Sequence, residues 1–380
     1  MMEDRIVVIG VGQIPVKEHW DIGIRSLGSR AVREALSDCG LKTADGLFVG
    51  NAFSPILSHQ SNLAPLIADA SGMTGAEAYG YEAGGAGGGA AFRAAVLAVR
   101  SGFLDTAVAL GVEKITDNTG SMANATQDLM LNYEYETMMG MTIPSGAALI
   151  ARRYQVEYGL TDRDIFDCMS LNAYNQACGN PNALYHIRLD DTKLQNQPLS
   201  NAPLGMYDCS ALSDGAAAAV ITRESLIPDG LSHEPIAVLG SANAIESLSL
   251  HDRHNLLRYR SSEASAAKAF RQADFNISDI DIWELWDAFA IDGILSRESI
   301  GLAPSGEGWK PDGRYYSTMG GCLGRGNPLS ASGMYQIAEA VLQLQNRAGA
   351  CQVENARTAF TQCIGGLGAT AVTHILSRLD

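Results

Sequence analysis

Short, uninterrupted apolar runs alternate along this chain with longer stretches of helical period. RIVVIG (5–10) is apolar throughout and predicts a strand buried on both faces. The stretch at about 22–38 spaces Ile24, Leu27, Ala31 and Ala35 three or four residues apart, which predicts an amphipathic helix. GLFVG (46–50) and TAVALGVEKI (106–115) predict two more buried strands, and the Gly/Ala-rich stretch 84–100 between them a tightly packed helix. Strands without polar alternation, separated by helices, imply an α/β fold with a parallel sheet covered on both faces.

From about 116 to 205 this rhythm stops. The segment is rich in Asn, Met, Tyr and Gln, and its one clear helical piece is SGAALIARRYQVEYG (145–159). It reads as an insertion lying over the sheet. The rhythm resumes at DGAAAAVIT (214–222), and the plan then repeats. A strand is expected at 235–245, a helix at about 261–274, and a strand running into a loop at DIDIWELWDAF (279–289). Helices follow at about 289–301 and 330–346, and two final strands flank Cys363. The chain thus divides into halves at 1–234 and 235–380, the first holding the insertion, with a site expected where they meet.

Composition narrows the function. An apolar fraction of 46% excludes a disordered chain. With 27 Lys+Arg against 42 Asp+Glu the net charge is −15, which argues against nucleic-acid or anionic-membrane partners. No apolar run reaches the roughly 18 residues that span a bilayer. MMEDRIVVIGVG carries acids before its apolar stretch and no basic region, so no signal peptide is expected. None of the seven cysteines forms a C-x-x-C pair, so free thiols in a reducing cytoplasm are expected, and no metal site. His251 and His254 form an H-x-x-H pair that reads as surface polarity.

Four glycine-bearing segments are candidates for chemistry. Gly10-Val11-Gly12 has Pro15 where a dinucleotide fingerprint has its third glycine, so a tight turn is the better reading. EAGGAGGGAAF (82–92) has two readings. Its glycines allow close backbone packing, or they free a helix N-terminus to face an anionic or carbonyl oxygen. GGCLGRGNPLSASGMYQ (320–336) is a Gly-rich loop entering a helix. CIGGLGA (363–369) places a cysteine before a glycine turn, either as a buried structural residue or as a thiol beside exposed N–H groups.

Taken in order, EAGGAGGG, PSGAALIARRYQVEYGLT (144–161), SDGAAAAVI (213–221), ELWDAFAI (284–291), GRGNPLSASG (324–333) and CIGG resemble the thiolase superfamily. The nearest branch is the sterol-carrier-protein or lipid-transfer type, also seen in archaeal acetoacetyl-CoA thiolases. The resemblance covers essentially the whole chain. It implies a duplicated fold of two βαβαβαββ halves, layered α-β-α-β-α, with an inserted loop domain. Three site positions depart from the pattern. Gly85 stands where the family has its acyl-accepting cysteine, Asn327 where it has the G-H-P histidine, and Trp286 where a polar residue orders an oxyanion-hole water. Cys363, in the C-x-G turn with Gly365, is the retained cysteine, which in the family moves the proton at the carbon α to the thioester.

A glycine cannot accept an acyl group, and an asparagine can donate a hydrogen bond but cannot act as a base. The resemblance therefore implies an acyl-CoA-handling protein with a rewired site: Cys363 and Asn327 catalytic, Gly85, Trp286 and Gly365 around substrate and oxyanion. The expected reaction is thiolytic or Claisen-type C–C chemistry on a 3-oxoacyl-CoA. The missing side chains at 85 and 87 are expected to enlarge the pocket for a branched or aromatic acyl group. The alternatives are a non-catalytic subunit of an acyl-CoA complex and a retro-aldolase acting on a β-hydroxyacyl-CoA. The family also implies a homodimer through the sheet edge, a small zinc-ribbon/OB-fold (DUF35-type) partner, and coenzyme A as substrate or product, with no tightly bound cofactor. CoA is expected along the 116–205 insertion, which is not notably basic apart from Arg152 and Arg153.

Overall fold

The structure is a computed structural model that describes residues 4–160 and 164–379. In the first part of the chain the strands are β1 (Ile6–Lys17), β2 (Gly46–Gly50), β3 (Glu77–Tyr81) and β4 (Thr106–Glu113). Their helices are α1 (Ile24–Asp38), the short α2 (Ser54–Leu57), α3 (Leu63–Ala70) and α4 (Gly87–Arg100). The insertion carries α5 (Gly120–Gln127), α6 (Ile143–Tyr158), α7 (Asp164–Ala177), α8 (Asp191–Gln195) and a ribbon of β5 (Leu199–Asn201) with β6 (Leu204–Gly205). Then follow β7 (Asp214–Arg223), β8 (Ile236–Ile245), α9 (Arg260–Ala273), β9 (Ile282–Glu284) and α10 (Ala290–Ser299). The chain closes with β10 (Tyr315–Tyr316), α11 (Gly321–Arg325), α12 (Ser332–Leu344), β11 (Thr358–Gly365) and β12 (Thr370–Arg378).

Among the described residues ten strands form one sheet in the order β10-β9-β11-β12-β8-β1-β7-β4-β2-β3. Its two halves join at β1 and β8, through only Val7 with Ala237 and Val8 with Ile236. The sheet is mixed rather than parallel. β1 with β7, β4 with β7, and β12 with both β8 and β11 run antiparallel. Uninterrupted apolar strands report burial on both faces, and both directions allow that burial.

The layers follow from which faces are apolar. α1 buries Ile24, Leu27, Ala31 and Ala35, as their spacing requires, against the outer face of the first half. α9 covers the outer face of the second half. Between the two half-sheets lie α4 and α12, where Phe92 and Ala95 pack with Val8, Ile236, Ile337 and Leu376 in one core. Glycines permit this closeness. Gly10 and Gly12 lie within extended β1 rather than in a turn, and a β-carbon on either would stand 2.5 Å from a carbonyl oxygen of α1. The Gly-x-Gly is thus a strand–helix packing device. Gly87, Gly88 and Gly89 likewise give α4 room beside Ser330, Met334 and Cys363. β3 escaped the sequence reading because it is a half-exposed edge strand with little apolar content.

Candidate active site

Near where the halves meet, five segments enclose a cavity of about 310 Å³. The turn before α4 supplies Gly85, the loop between β9 and α10 supplies Trp286, Ala288 and Phe289, the first turn of α10 supplies Asp292, and the loop after α11 supplies Asn327. The end of β11 supplies Ile364 and Gly366, and the insertion supplies a wall that includes Gln127, Met130 and Ile143. That wall is pinned locally. Thr142 and Ser145 form a capping box at the start of α6, and the Asp128 carboxylate accepts the Ile143 N–H at 2.7 Å.

The sequence places Gly85, Trp286 and Asn327 around one site, and all three line this cavity. The expected enlargement at residues 85 and 87 is absent. The Trp286 ring occupies the space a side chain at Gly85 would fill, with the Ile364 carbonyl 2.6 Å from the ideal β-carbon. At Gly87 the Ser330 hydroxyl occupies the equivalent space. The amides of the glycine turn are also engaged: Gly84 N–H donates to Glu82 at 2.6 Å and Ala86 N–H to the Ala83 carbonyl at 3.0 Å. Gly365 packs against Ala83, whose carbonyl leaves no room for a β-carbon.

Cys363 is not among the residues lining the cavity, although its Sγ lies 3.8 Å from the carbonyl of Ala86, next to Gly85. It lies inside β11, paired with Val372, rather than between the last two strands. While Ile364 borders the cavity with its backbone carbonyl beside Gly85, Cys363 turns into the layer of α4 and α12. Its Sγ rests 2.8 Å from where a β-carbon of Gly333 would lie, beside Ala86 and Gly89. It is 2% exposed, and burial pushes its thiol up to about 12. Its neighbour His374 is likewise sealed, edge-on to Phe92, and burial pushes the imidazole down to about 3.

Asn327 is held so that its amide donates into the cavity. Its Oδ1 accepts from Leu329 N–H at 3.0 Å and from Ser332 Oγ at 2.8 Å, which fixes the orientation of the amide group. Nδ2 donates one hydrogen to Ser210 Oγ at 3.0 Å, leaving its second for a carbonyl oxygen. Two lining residues carried no motif signal in the sequence. Cys209 is bridged to Phe289 across the backbone, and burial, with Asp208 nearby, pushes its thiol up to about 12. Asp292 accepts from Tyr259 Oη at 2.6 Å and Phe289 N–H at 3.2 Å. Burial, reinforced by the like charge of Asp287, nevertheless lifts Asp292 to about 7.

Behind this site lies a second, closed polar cluster. Arg325 Nη1 binds Glu339 Oε2 at 2.6 Å, both groups fully buried. Glu284 accepts from the Thr318 hydroxyl at 2.7 Å, and Asp287 from Cys322 N–H at 2.6 Å. One guanidinium cannot neutralise three carboxylates, and burial lifts Glu284 to about 8, Glu339 to about 7 and Asp287 to about 6. Among the described residues no group of three or more His, Cys, Asp or Glu is arranged to hold a metal ion.

Known proteins match along most of the chain. Residues 6–186 match the thiolase N-terminal domain, and residues 242–378 the thiolase C-terminal domain-like family. The acetyl-CoA acetyltransferase of Methanothermobacter thermautotrophicus is 36% identical, over 98% of this chain and 99% of its own. The benzoylsuccinyl-CoA thiolase subunit BbsB of Thauera aromatica is 30% identical, over 96% of each. Among solved structures, an Ltp2–ChsH2(DUF35) aldolase superposes with a TM-score of 0.83 at 23% identity, over 100% of this chain and 99% of that one.

Proposed function

The chain belongs to the thiolase family, and on that premise we propose that it makes or breaks a carbon–carbon bond in a branched or aromatic 3-oxoacyl-CoA without an acyl-enzyme intermediate. The observation that carries this reading is the Asn327 amide, oriented to donate into a cavity that Cys363 does not reach. A substrate carbonyl polarised by that amide is open to direct attack by the thiol of coenzyme A. Coenzyme A is then substrate or product, and no tightly bound cofactor is required. The apolar lining of Met130, Ile143, Phe289 and Leu329 suits a hydrocarbon acyl group, and one relative is named for a benzoylsuccinyl thioester. Trp286 over Gly85 supports a second reading, that of a non-catalytic subunit.

A homodimer is proposed from the half-exposed edge strand β3, with Tyr79 on its outer side. A DUF35-type partner is proposed because the aldolase of the same fold is titled with one. A cytoplasmic location is proposed from seven unpaired cysteines.

The test is turnover of a panel of aromatic and branched 3-oxoacyl-CoAs with free CoA, with and without candidate partners, followed by intact-protein mass spectrometry. The expected result is acyl-CoA product with no protein adduct. An adduct lost in Cys363→Ala would overturn direct attack. Tight CoA binding with no product would favour the non-catalytic subunit. Aldehyde or ketone release from β-hydroxy substrates alone would identify a retro-aldolase.

A further inference from the structure

We infer that Asp292 is the proton-transfer residue of this cavity. The inference rests on reading the cavity as an acyl-CoA site, and it assigns the part that Cys363 is turned away from. Two of the described residues lining the cavity titrate, Cys209 and Asp292. Cys209 keeps its proton far above neutral pH, whereas Asp292 exchanges its own near neutrality. The carboxyl group is fixed from two sides, by Tyr259 Oη on Oδ1 and Phe289 N–H on Oδ2. The other titratable groups facing it are Asp287 on the loop before α10 and Cys209; beyond Tyr259 stand Arg253 and Glu246.

One carboxylate suffices for the whole reaction. It takes the proton of the CoA thiol, and the sulfur bonds to C3 of the 3-oxoacyl-CoA while Asn327 holds the C3 oxygen. The C2–C3 bond then breaks, its electron pair staying on C2. The carboxylic acid returns the same proton to C2, releasing two acyl-CoA molecules. No oxidant or reductant enters.

Deuterium exchange at C2 of acetyl-CoA and 3-phenylpropionyl-CoA in D2O tests this without requiring C–C cleavage. The wild-type protein is expected to exchange, with a rate rising through about pH 7. Asp292→Asn is expected to lose on the order of 100-fold or more, together with the inflection. Asp292→Glu should restore part of the rate. Retention of both rate and inflection in Asp292→Asn overturns the inference, as does a wild-type protein that binds CoA but exchanges nothing. Thermal melts of each variant separate these outcomes from misfolding. Exchange that depends on Asp292 in a protein that cleaves no 3-oxoacyl-CoA would sustain the inference and sink the proposed reaction.

Discussion

Each of the three C-terminal motifs places one residue at the cavity and a near neighbour in the sealed interior. Trp286 faces the cavity, whereas Asp287 belongs to the closed acidic cluster. Asn327 faces the cavity, whereas Arg325 pairs with Glu339 out of reach of solvent. Ile364 borders the cavity, whereas Cys363 is buried beside α4. The open side is held by oriented hydrogen bonds and has room for a ligand. The sealed side is packed and charged, with acids lifted toward neutrality. The difference teaches that a motif locates an element, while a step of one or two residues decides which chemistry that element presents.

If the division is sound, sealed-side changes should alter stability and open-side changes should alter turnover. Arg325→Met is expected to have the largest effect. It strands buried acids without their cation, and loss of one partner of a buried pair costs about 3–5 kcal/mol; chemical denaturation measures it. Asn327→Ala should lower kcat by roughly 10²–10³, the size expected for one oxyanion donor, with a smaller loss of stability than Arg325→Met. Similar melting loss in both variants would erase the distinction.

Gly85→Cys straddles the two sides. The new side chain meets Trp286 and the Ile364 carbonyl, so overpacking should cost about 1–3 kcal/mol. Adding Trp286→Asn should recover the part due to the ring, and a double-mutant cycle by thermal melting reads the coupling. A smaller, graded effect comes from pH. Glu284 is raised above the ordinary carboxyl range to about 8, so the folded chain holds a proton that the unfolded chain releases. Its contribution is therefore full at low pH and is lost as pH rises toward 8. Glu284→Gln should flatten that decline in denaturation curves taken between pH 5 and 8. Smallest of all, Cys363→Ala should lower stability by about 1 kcal/mol while leaving any turnover within a few fold. Abolished turnover in a folded Cys363→Ala variant would break the comparison outright.

Much of the fold was legible because apolar periodicity survives in single elements. The helix at Ile24–Asp38 and the strands at Gly46–Gly50 and Asp214–Arg223 fall within a residue or two of where spacing put them. β3 was illegible because an edge strand needs no apolar face, and α7 and α8 because the insertion's polar composition hides them. At the site, Gly85, Trp286 and Asn327 were found because each departs from a recognisable motif at a known offset. The direction of Cys363 was not, since strand parity depends on where pairing begins, and that is set by β12. Nor was Asp292, whose carboxyl is held by Tyr259 from a segment 33 positions away. The filling of the Gly85 space by an indole joins residues about two hundred positions apart, and no local pattern reports it.

The joining of the two half-sheets has a consequence for biosynthesis. With only two residue pairs between β1 and β8, the halves are united chiefly by α4 and α12, each buried against both. α4 is synthesised well before α12 and β12, against which it packs. A nascent chain therefore carries a glycine-rich apolar helix with one wall missing until those elements have been made. The first half cannot complete its core alone, and its exposed inner face is what a ribosome-bound chaperone would have to shield.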